Sequence, residues 1–458
     1  MSHPIERNTQ RGMSLVLVAA ILVVLLGISA LAIDLAALYV RRNEAQRAAD
    51  AAALAGAKKF VESGFLSGAV PQTTAQSLAT TEAIQIGAQN LVGGQPADIQ
   101  PGDITFDFSN PTNPLITVVV QRTAARGTAV PTFFGKALGF AEVDISATAT
   151  AEAYSPSGGN TPVGTGCMKP WMLPNCDEAS ASPENPNCPG SAYFVDPTTG
   201  AIVNPGPVSS GGVIGQNITL KPGNPGEAPA PSQFYPIQIP PGEEPAICPP
   251  CASEAGGSDG PGAALYRRNI ACCNTSIVSC GQEVTLDRQT GNMVGPTAQG
   301  VSCLIHQKNN TCGGNPSACG QDFIQSTTNY PFPIMGGDNN PNPLVRGQQV
   351  ISSDSFVTVP LYNGAQLCPG GADTCGTATI SGFLQVFVEK AGPQGKVTGY
   401  VTNIAGCGTG GSGGGSGSGG GEDEEGGSGG GGTGSGGSGA ITGPGGSLFP
   451  VRLVRPAN

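Results

Sequence analysis

Two cysteines separated by two prolines, Cys248-Pro249-Pro250-Cys251, form the one string in this chain whose spacing suits reaction chemistry. A Cys-x-x-Cys pair exchanges electrons with a dithiol when one of its thiols has a lowered pKa. Here the pair sits in a Pro-rich stretch with no βαβ pattern after it, among a dozen other cysteines. All 14 cysteines lie beyond residue 166, and the count is even. That density beyond an apolar N-terminal segment reads as a disulfide framework in an oxidising compartment. Adjacent Cys272 and Cys273 cannot comfortably bridge each other, so each is expected to pair elsewhere. Spacing does not reveal the connectivity. Zinc held by the Cys248/Cys251 pair with Cys272 and Cys273 is a weaker option, because thiolates do not persist in such a compartment.

Other groups carry less chemistry. The chain has two histidines, His3 and His306. A Ser-His-Asp or Cys-His enzyme would depend on His306, and no Gly-x-Ser-x-Gly nucleophile elbow of convincing context accompanies it. His306 is expected to be a surface or packed residue, and Trp171 a local core anchor. Asn217-Ile-Thr219 and Asn274-Thr-Ser276 match glycosylation sequons by chance. The expected site inventory is therefore empty: no catalytic residue, no cofactor and no metal ligand. The chain is read as a non-enzyme.

The elements around these residues begin with Gly12–Ile33, GMSLVLVAAILVVLLGISALAI, which carries no charge. It is long enough to cross a bilayer as a helix, and longer than the apolar core of a signal peptide. Arg7 and Arg11 precede it, and Arg41, Arg42 and Arg47 follow, so flanking charge leaves orientation open. The cysteines decide it: the N-terminus is expected in the cytoplasm and the long C-terminal part outside. Asp34, at the outer end, reads as an interfacial acid reaching headgroup water. The helix pattern then continues through LAALYVRRNEAQRAADAAALAGAKKF, where alanine, the best helix former, dominates. A helix over residues 12–60 would be roughly 70 Å long. Its small residues would allow close helix packing, in a bundle or filament base.

This stretch resembles the N-terminal region of TadG-like proteins of the Tad/Flp pilus assembly system. The matching features are Arg11-Gly12 before the apolar run, Ala32-Ile33-Asp34-Leu35 at its end, and Gln46-Arg47-Ala48-Ala49-Asp50-Ala51-Ala52-Ala53-Leu54-Ala55-Gly56-Ala57. The last string is the most specific. The likeness is strong over about residues 10–60 and weaker to about 155. Beyond that, Cys167-Met168-Lys169-Pro170-Trp171 is similar to a Cys-x-x-Pro-Trp segment of long bacterial members. The resemblance implies a single-pass protein of the bacterial inner membrane. Its implied partners are the membrane, other pilus-assembly or envelope proteins, and a second copy through the N-terminal helix. Two departures stand out. Prepilin peptidase substrates carry Glu five residues after the cleavage Gly, where Gly12 is followed by Leu17. Some long members carry a metal-binding Asp-x-Ser-x-Ser, of which Asp107-Phe108-Ser109 is the nearest fragment here.

The fold class expected is α+β. An N-terminal transmembrane helix continues into a long pilin-like helix with a small antiparallel sheet, and a β-rich, disulfide-stapled domain follows. Residues 75–92 read as a second helix with Leu78, Ile84, Ala88 and Leu91 apolar. Ile104, Phe106 and Phe108 alternate with polar residues, 115–121 reads as a buried strand, and 131–140 as a short helix. In 142–154, Val143, Ile145, Ala147, Ala149, Ala151 and Ala153 face inward, and Asp144, Ser146, Thr148, Thr150 and Glu152 face water. Farther on, 355–362 is a strand, and 382–389 forms a hairpin with 397–404 in which 382–389 is central. The domain plan is residues 1–11 cytoplasmic, 12–60 span and stalk, 61–155 pilin-like, 156–407 Cys-rich and exported, 408–446 a Gly/Ser-rich linker, and 447–458 a β-like end.

Composition supports this plan. Aromatic residues make up only 5% of the chain, so cores should be thin and need staples. Net charge is −11 with no basic patch beyond the stalk, which argues against nucleic acid. The linker should behave as flexible coil, with Glu422, Asp423, Glu424 and Glu425 as a solvated charge cluster rather than a calcium site. The alternating Pro450–Arg455 end is expected to add a strand to the exported domain or to a partner sheet. The function expected is structural or assembly work in a Tad/Flp-type pilus. Alternatives are a surface adhesin and, less favoured, an exported thiol oxidoreductase using Cys248 and Cys251.

Overall fold

The computed structural model describes residues 10–110, 113–153, 167–182, 190–223, 248–249, 251, 263–274, 276, 278–285, 293–308, 319–327, 330–350, 353–363, 377–407 and 451–454. The Gly/Ser-rich linker with its acidic cluster, and Cys188, Cys312, Cys368 and Cys375, lie outside these residues.

One helix, Gln10–Glu62 (α1), contains both the apolar run and the alanine-rich stretch. At 53 residues it is about 80 Å long. No proline interrupts it, and it stops at Gly64, whose φ of +70° suits glycine. A Cβ at Gly64 would also lie 2.5 Å from the Tyr330 ring. A second helix, Gln72–Ala88 (α2), packs on the stalk half of α1. Its buried face is Ala75, Ala79, Ala83 and Gly87, not the Leu78, Ile84, Ala88 and Leu91 row expected from hydropathy. The reason is steric. The α1 face is itself alanine, and the helices approach so closely that only small side chains fit between them.

Strands Ile104–Asp107 (β1), Leu115–Arg122 (β2) and Ile145–Ala153 (β3) form an antiparallel sheet in that order, packed across α1. In β2, Ile116, Val118 and Val120 point inward, alternating with less buried residues, so it is one-sided rather than buried throughout. In β3 the alternation holds at first, but Thr150 and Glu152 are buried, contrary to expectation. The C-terminal strand Val451–Val454 explains this. It pairs antiparallel with Thr150–Ala153, and Arg452 forms an ion pair with Glu152. The end of the chain thus returns to the α1 sheet, and a Cys-rich strand is not its partner. Glu142–Val143 forms a separate short ladder with Val130–Pro131. Residues 131–140, expected as a short helix, hold only a 3-10 turn at Gly135–Leu138.

The second sheet contains Leu173–Pro174 (β4), Asn217–Lys221 (β5), Glu283–Thr285 (β6), Phe356–Tyr362 (β7), Thr377–Ala391 (β8) and Val397–Gly406 (β9). Its order is β4-β7-β8-β9-β5, with β6 beside the start of β8. The β8–β9 hairpin and the central place of β8 agree with the sequence reading. Helices Ala263–Ala271 (α3) and Val294–Leu304 (α4) pack together and were not anticipated. Gly295-Pro296 disguises α4, yet both residues lie in its first turn, where proline is tolerated.

The two halves meet at the turn after α1. Ser67 Oγ donates to Asn403 Oδ1 at 2.8 Å and accepts from the Ile404 N–H at 3.1 Å. Asn403 Nδ2 reaches back to the Val61 carbonyl, and Tyr330 Oη donates to the Thr402 carbonyl. Core residues of both halves, Phe60 of α1 and Phe383 of β8 among them, belong to one continuous cluster.

Val454→Pro should weaken the last ladder, because the Val454 N–H faces Thr150 across it and proline brings no N–H to the sheet. Hydrogen exchange at Thr150 and Glu152, whose amides face the last strand, is then expected to rise, while β1–β2 pairing keeps its protection.

Candidate functional site

The two halves of α1 have opposite surroundings, although both are helical. From Leu15 to Ile33 the large apolar side chains are exposed, each at least half accessible. This half is long and apolar enough to cross a membrane and is 0% buried by the protein. From Ala45 onward the situation reverses. Ala45, Ala48, Ala49, Ala52, Ala53 and Ala57 are completely buried against α2 and the first sheet. The small-residue face that suggested helix–helix assembly is therefore occupied by the chain's own domain. Only the apolar half remains open to lipid or another helix.

Asp34 marks the change. It is 7% exposed, and its carboxylate accepts hydrogen bonds from three consecutive backbone amides. Phe133 N–H donates to Oδ1 at 2.8 Å, Phe134 N–H lies 3.1–3.2 Å from both oxygens, and Gly135 N–H donates to Oδ2 at 2.7 Å. The residue expected to reach headgroup water is thus bonded within the protein, holding a loop against the helix. The loop is closed by Thr132, whose Oγ donates to the Phe140 carbonyl and whose N–H donates to Ala141. Gly135 is needed there, since a Cβ would lie 2.8 Å from the Phe140 oxygen.

Seven residues on, Arg41 pairs with Glu44 at 3.2 Å, and Glu44 accepts the Gly93 N–H at 2.7 Å. The Gly93 amide holds the Glu44 carboxyl below its usual range, against the opposing effect of desolvation and with help from Arg41. Deeper in the stalk, Lys59 bridges Glu62 and Glu82, which ties α1 to α2. Asp103 receives Arg126 through both its oxygens. Asp107 accepts the Ser109 N–H in a local turn, and Phe108 packs against Phe60 and Phe65.

The cysteines of the Cys-x-x-Cys string pair with other segments. Cys248 is bonded to Cys272, and Cys251 to Cys303. Cys167 is bonded to Cys273, and Cys280 to Cys407. The two sulfurs of the Cys-x-x-Cys string are thus not each other's partners; each staples a separate segment. Cys272 and Cys273, as expected, pair with separate segments. Cys176 and Cys319 are also disulfide-bonded, and no described cysteine is a free thiol. The four bridges close loops of 24 to 127 residues, each worth about 3–5 kcal/mol by chain entropy.

Within this stapled half, Trp171 is fully buried, and its indole N–H donates to Tyr266 Oη at 3.0 Å. His306 Nε2 lies 2.7 Å from Asp354 Oδ2. Sequence reading missed Lys169, which is wholly buried and donates through Nζ to the Cys272 carbonyl. Burial pulls its ammonium from near 10.5 down to about 7, although the Asp354 charge opposes this.

Residues 12–59 match the family model described as "Tad: Putative Flp pilus-assembly TadE/G-like". The match spans 48 of the chain's 458 residues and lies wholly within α1. No curated protein and no solved structure matches the chain.

Two outcomes follow. Asp34→Ala should strand the Phe133, Phe134 and Gly135 amides and release the loop. Their hydrogen exchange is expected to quicken on the order of tenfold or more, with Asp34→Asn intermediate. For Lys169, the unfolded chain holds a proton that the folded chain lacks between about pH 7 and 10.5. Stability should therefore rise with pH across that window. Lys169→Met is expected to flatten the rise, as read by denaturant unfolding at pH 6 and 9. Buried Lys221, lowered to about 8, leaves a residual slope of the same sign.

Proposed function

We propose that this chain is a membrane-anchored structural or assembly component of a Tad/Flp-type pilus in the bacterial envelope. The observation that carries the reading is the coincidence of the family match with one helix of two surroundings. Residues 12–59 contain both the exposed apolar half and the alanine face buried under the first sheet. In this reading the apolar half is a single-pass anchor in the inner membrane. The N-terminus is cytoplasmic, and both sheets lie outside, where an oxidising environment supports the disulfides.

The work is mechanical rather than catalytic. No cofactor, metal or nucleic acid takes part, and the partners are lipid and other pilus-assembly or envelope proteins. Forces on the exported sheets would reach the anchor through α1 itself, because the first sheet packs directly on it. Self-association is left to the apolar half, within the bilayer.

The test is deletion of the gene in its host, scoring surface pili and surface attachment together. Loss of both is expected. Normal pili with lost attachment would instead make the chain an adhesin, and no change in either would overturn the pilus reading.

A further inference from the structure

Among the described residues, the exposed phenylalanines outside α1 are Phe133, Phe134 and Phe140, at 68%, 47% and 68% accessibility. All three belong to the loop that Asp34 holds by its backbone. Phenylalanine in water is unfavourable, and three exposed rings in one loop make an apolar patch of the kind that marks an interaction surface. The loop's position along α1 is fixed by hydrogen bonds. Asp34 immediately follows an uncharged apolar run of about 20 residues, the length that crosses the hydrocarbon core of a bilayer. The aromatic loop is therefore pinned at the level where hydrocarbon ends.

The surrounding side chains fit the same boundary. On α1, Leu31, Ile33, Leu35 and Tyr39 are also exposed at this level. The last exposed apolar side chain of α1 is Val40, and Arg42 beyond it is exposed. Arg42 lies about 12 Å past Asp34 along the helix, about 5 Å outside the headgroup layer, which its long side chain can reach back to. Lys136, in the loop itself, is exposed as well. An aromatic ring at the end of a span, followed by cations, is the side-chain order that suits a lipid–water interface.

We propose that the Thr132–Ala141 loop is a lipid-docking element. Phe133, Phe134 and Phe140 insert into the interfacial layer of the bilayer, while Lys136 and Arg42 meet anionic headgroups. Asp34 is the positioning residue: its carboxylate fixes the loop backbone, so the rings are presented at one depth. The first sheet is thereby held close to the membrane surface at a second point beside the helix, which limits tilting of the domain. This proposal rests on the anchor reading of α1.

The full chain in vesicles of phosphatidylglycerol and phosphatidylcholine tests it, with the phosphatidylcholine brominated at shallow or deep acyl carbons. Trp171, the one native tryptophan, is buried in the stapled half and supplies the unquenched baseline. Phe133→Trp and, independently, Phe140→Trp should show blue-shifted emission quenched most by shallow bromine. Leu25→Trp, in mid-span, should be quenched most by deep bromine. If Leu25→Trp behaves so but both loop tryptophans emit as in water, or are blue-shifted yet unquenched because protein covers them, the docking proposal is overturned and the anchor stands. If Leu25→Trp is itself unquenched, both fall.

Discussion

A single unbroken helix has two contrasting surroundings, an exposed apolar half and a buried alanine face, and the rest of the molecule follows from how it joins them. Its first half presents Leu, Ile and Val on every side, which only lipid or another apolar helix can cover. Its second half presents alanine on one face and charge on the other, which suits a thin protein core with solvent outside. The change of surroundings occurs within about two or three turns. Asp34 stands there, where an uncompensated charge would be costly. Three backbone amides from a loop about 100 residues away in sequence meet its oxygens. One bonded group thus ends the apolar half and fixes the first sheet's nearest loop to the helix.

Everything beyond the stalk is organised to keep that first sheet rigid on α1. The C-terminal strand covers the exposed edge of β3, and Arg452 neutralises Glu152 there. A free strand edge invites pairing with other chains, so covering it has value beyond stability. The second sheet contributes through the Ser67–Asn403–Val61 hydrogen bonds at the foot of α1. These polar contacts are buried and mutually satisfied, which gives the joint a defined geometry that an apolar contact alone would not. The disulfides then act locally on the second half. They fasten the α3–α4 pair to segments with little regular structure and compensate for the scarcity of aromatic core.

Features that depend on neighbours in sequence were legible in advance. The length of α1, the inward alternation at the start of β3 and the β8–β9 hairpin all come from local period. Features that depend on distant partners were not. Thr150 and Glu152 read as wet because the strand that covers them lies 300 residues later. The face of α2 was misjudged because hydropathy favours Leu78 and Ile84, whereas close helix approach favours Ala75, Ala79 and Ala83. Asp34 was noticed, but its partners are backbone amides and leave no mark in side-chain identity. Lys169 was passed over because nothing around Cys167-Met168-Lys169 signals complete burial. The Cys-x-x-Cys string reads as a staple from its Pro-rich, Cys-dense context, but spacing carries no information on its partners, which lie 24 and 52 residues away.

The central claim is that α1 changes medium at Asp34. Single cysteines can be introduced one by one from residue 20 to residue 60 in the full chain, since no described native cysteine is a free thiol. Spin labels on them, in vesicles, report access to oxygen, which concentrates in lipid, and to a water-soluble nickel chelate. Oxygen access should be high on all sides up to residue 33 and fall between residues 34 and 42. Beyond residue 45, both reagents should be excluded with a period near four residues, along the Ala45–Ala57 face. Nickel access throughout residues 20–33, or the absence of any helical period beyond residue 45, would contradict the division of the helix into an anchor and a packed stalk.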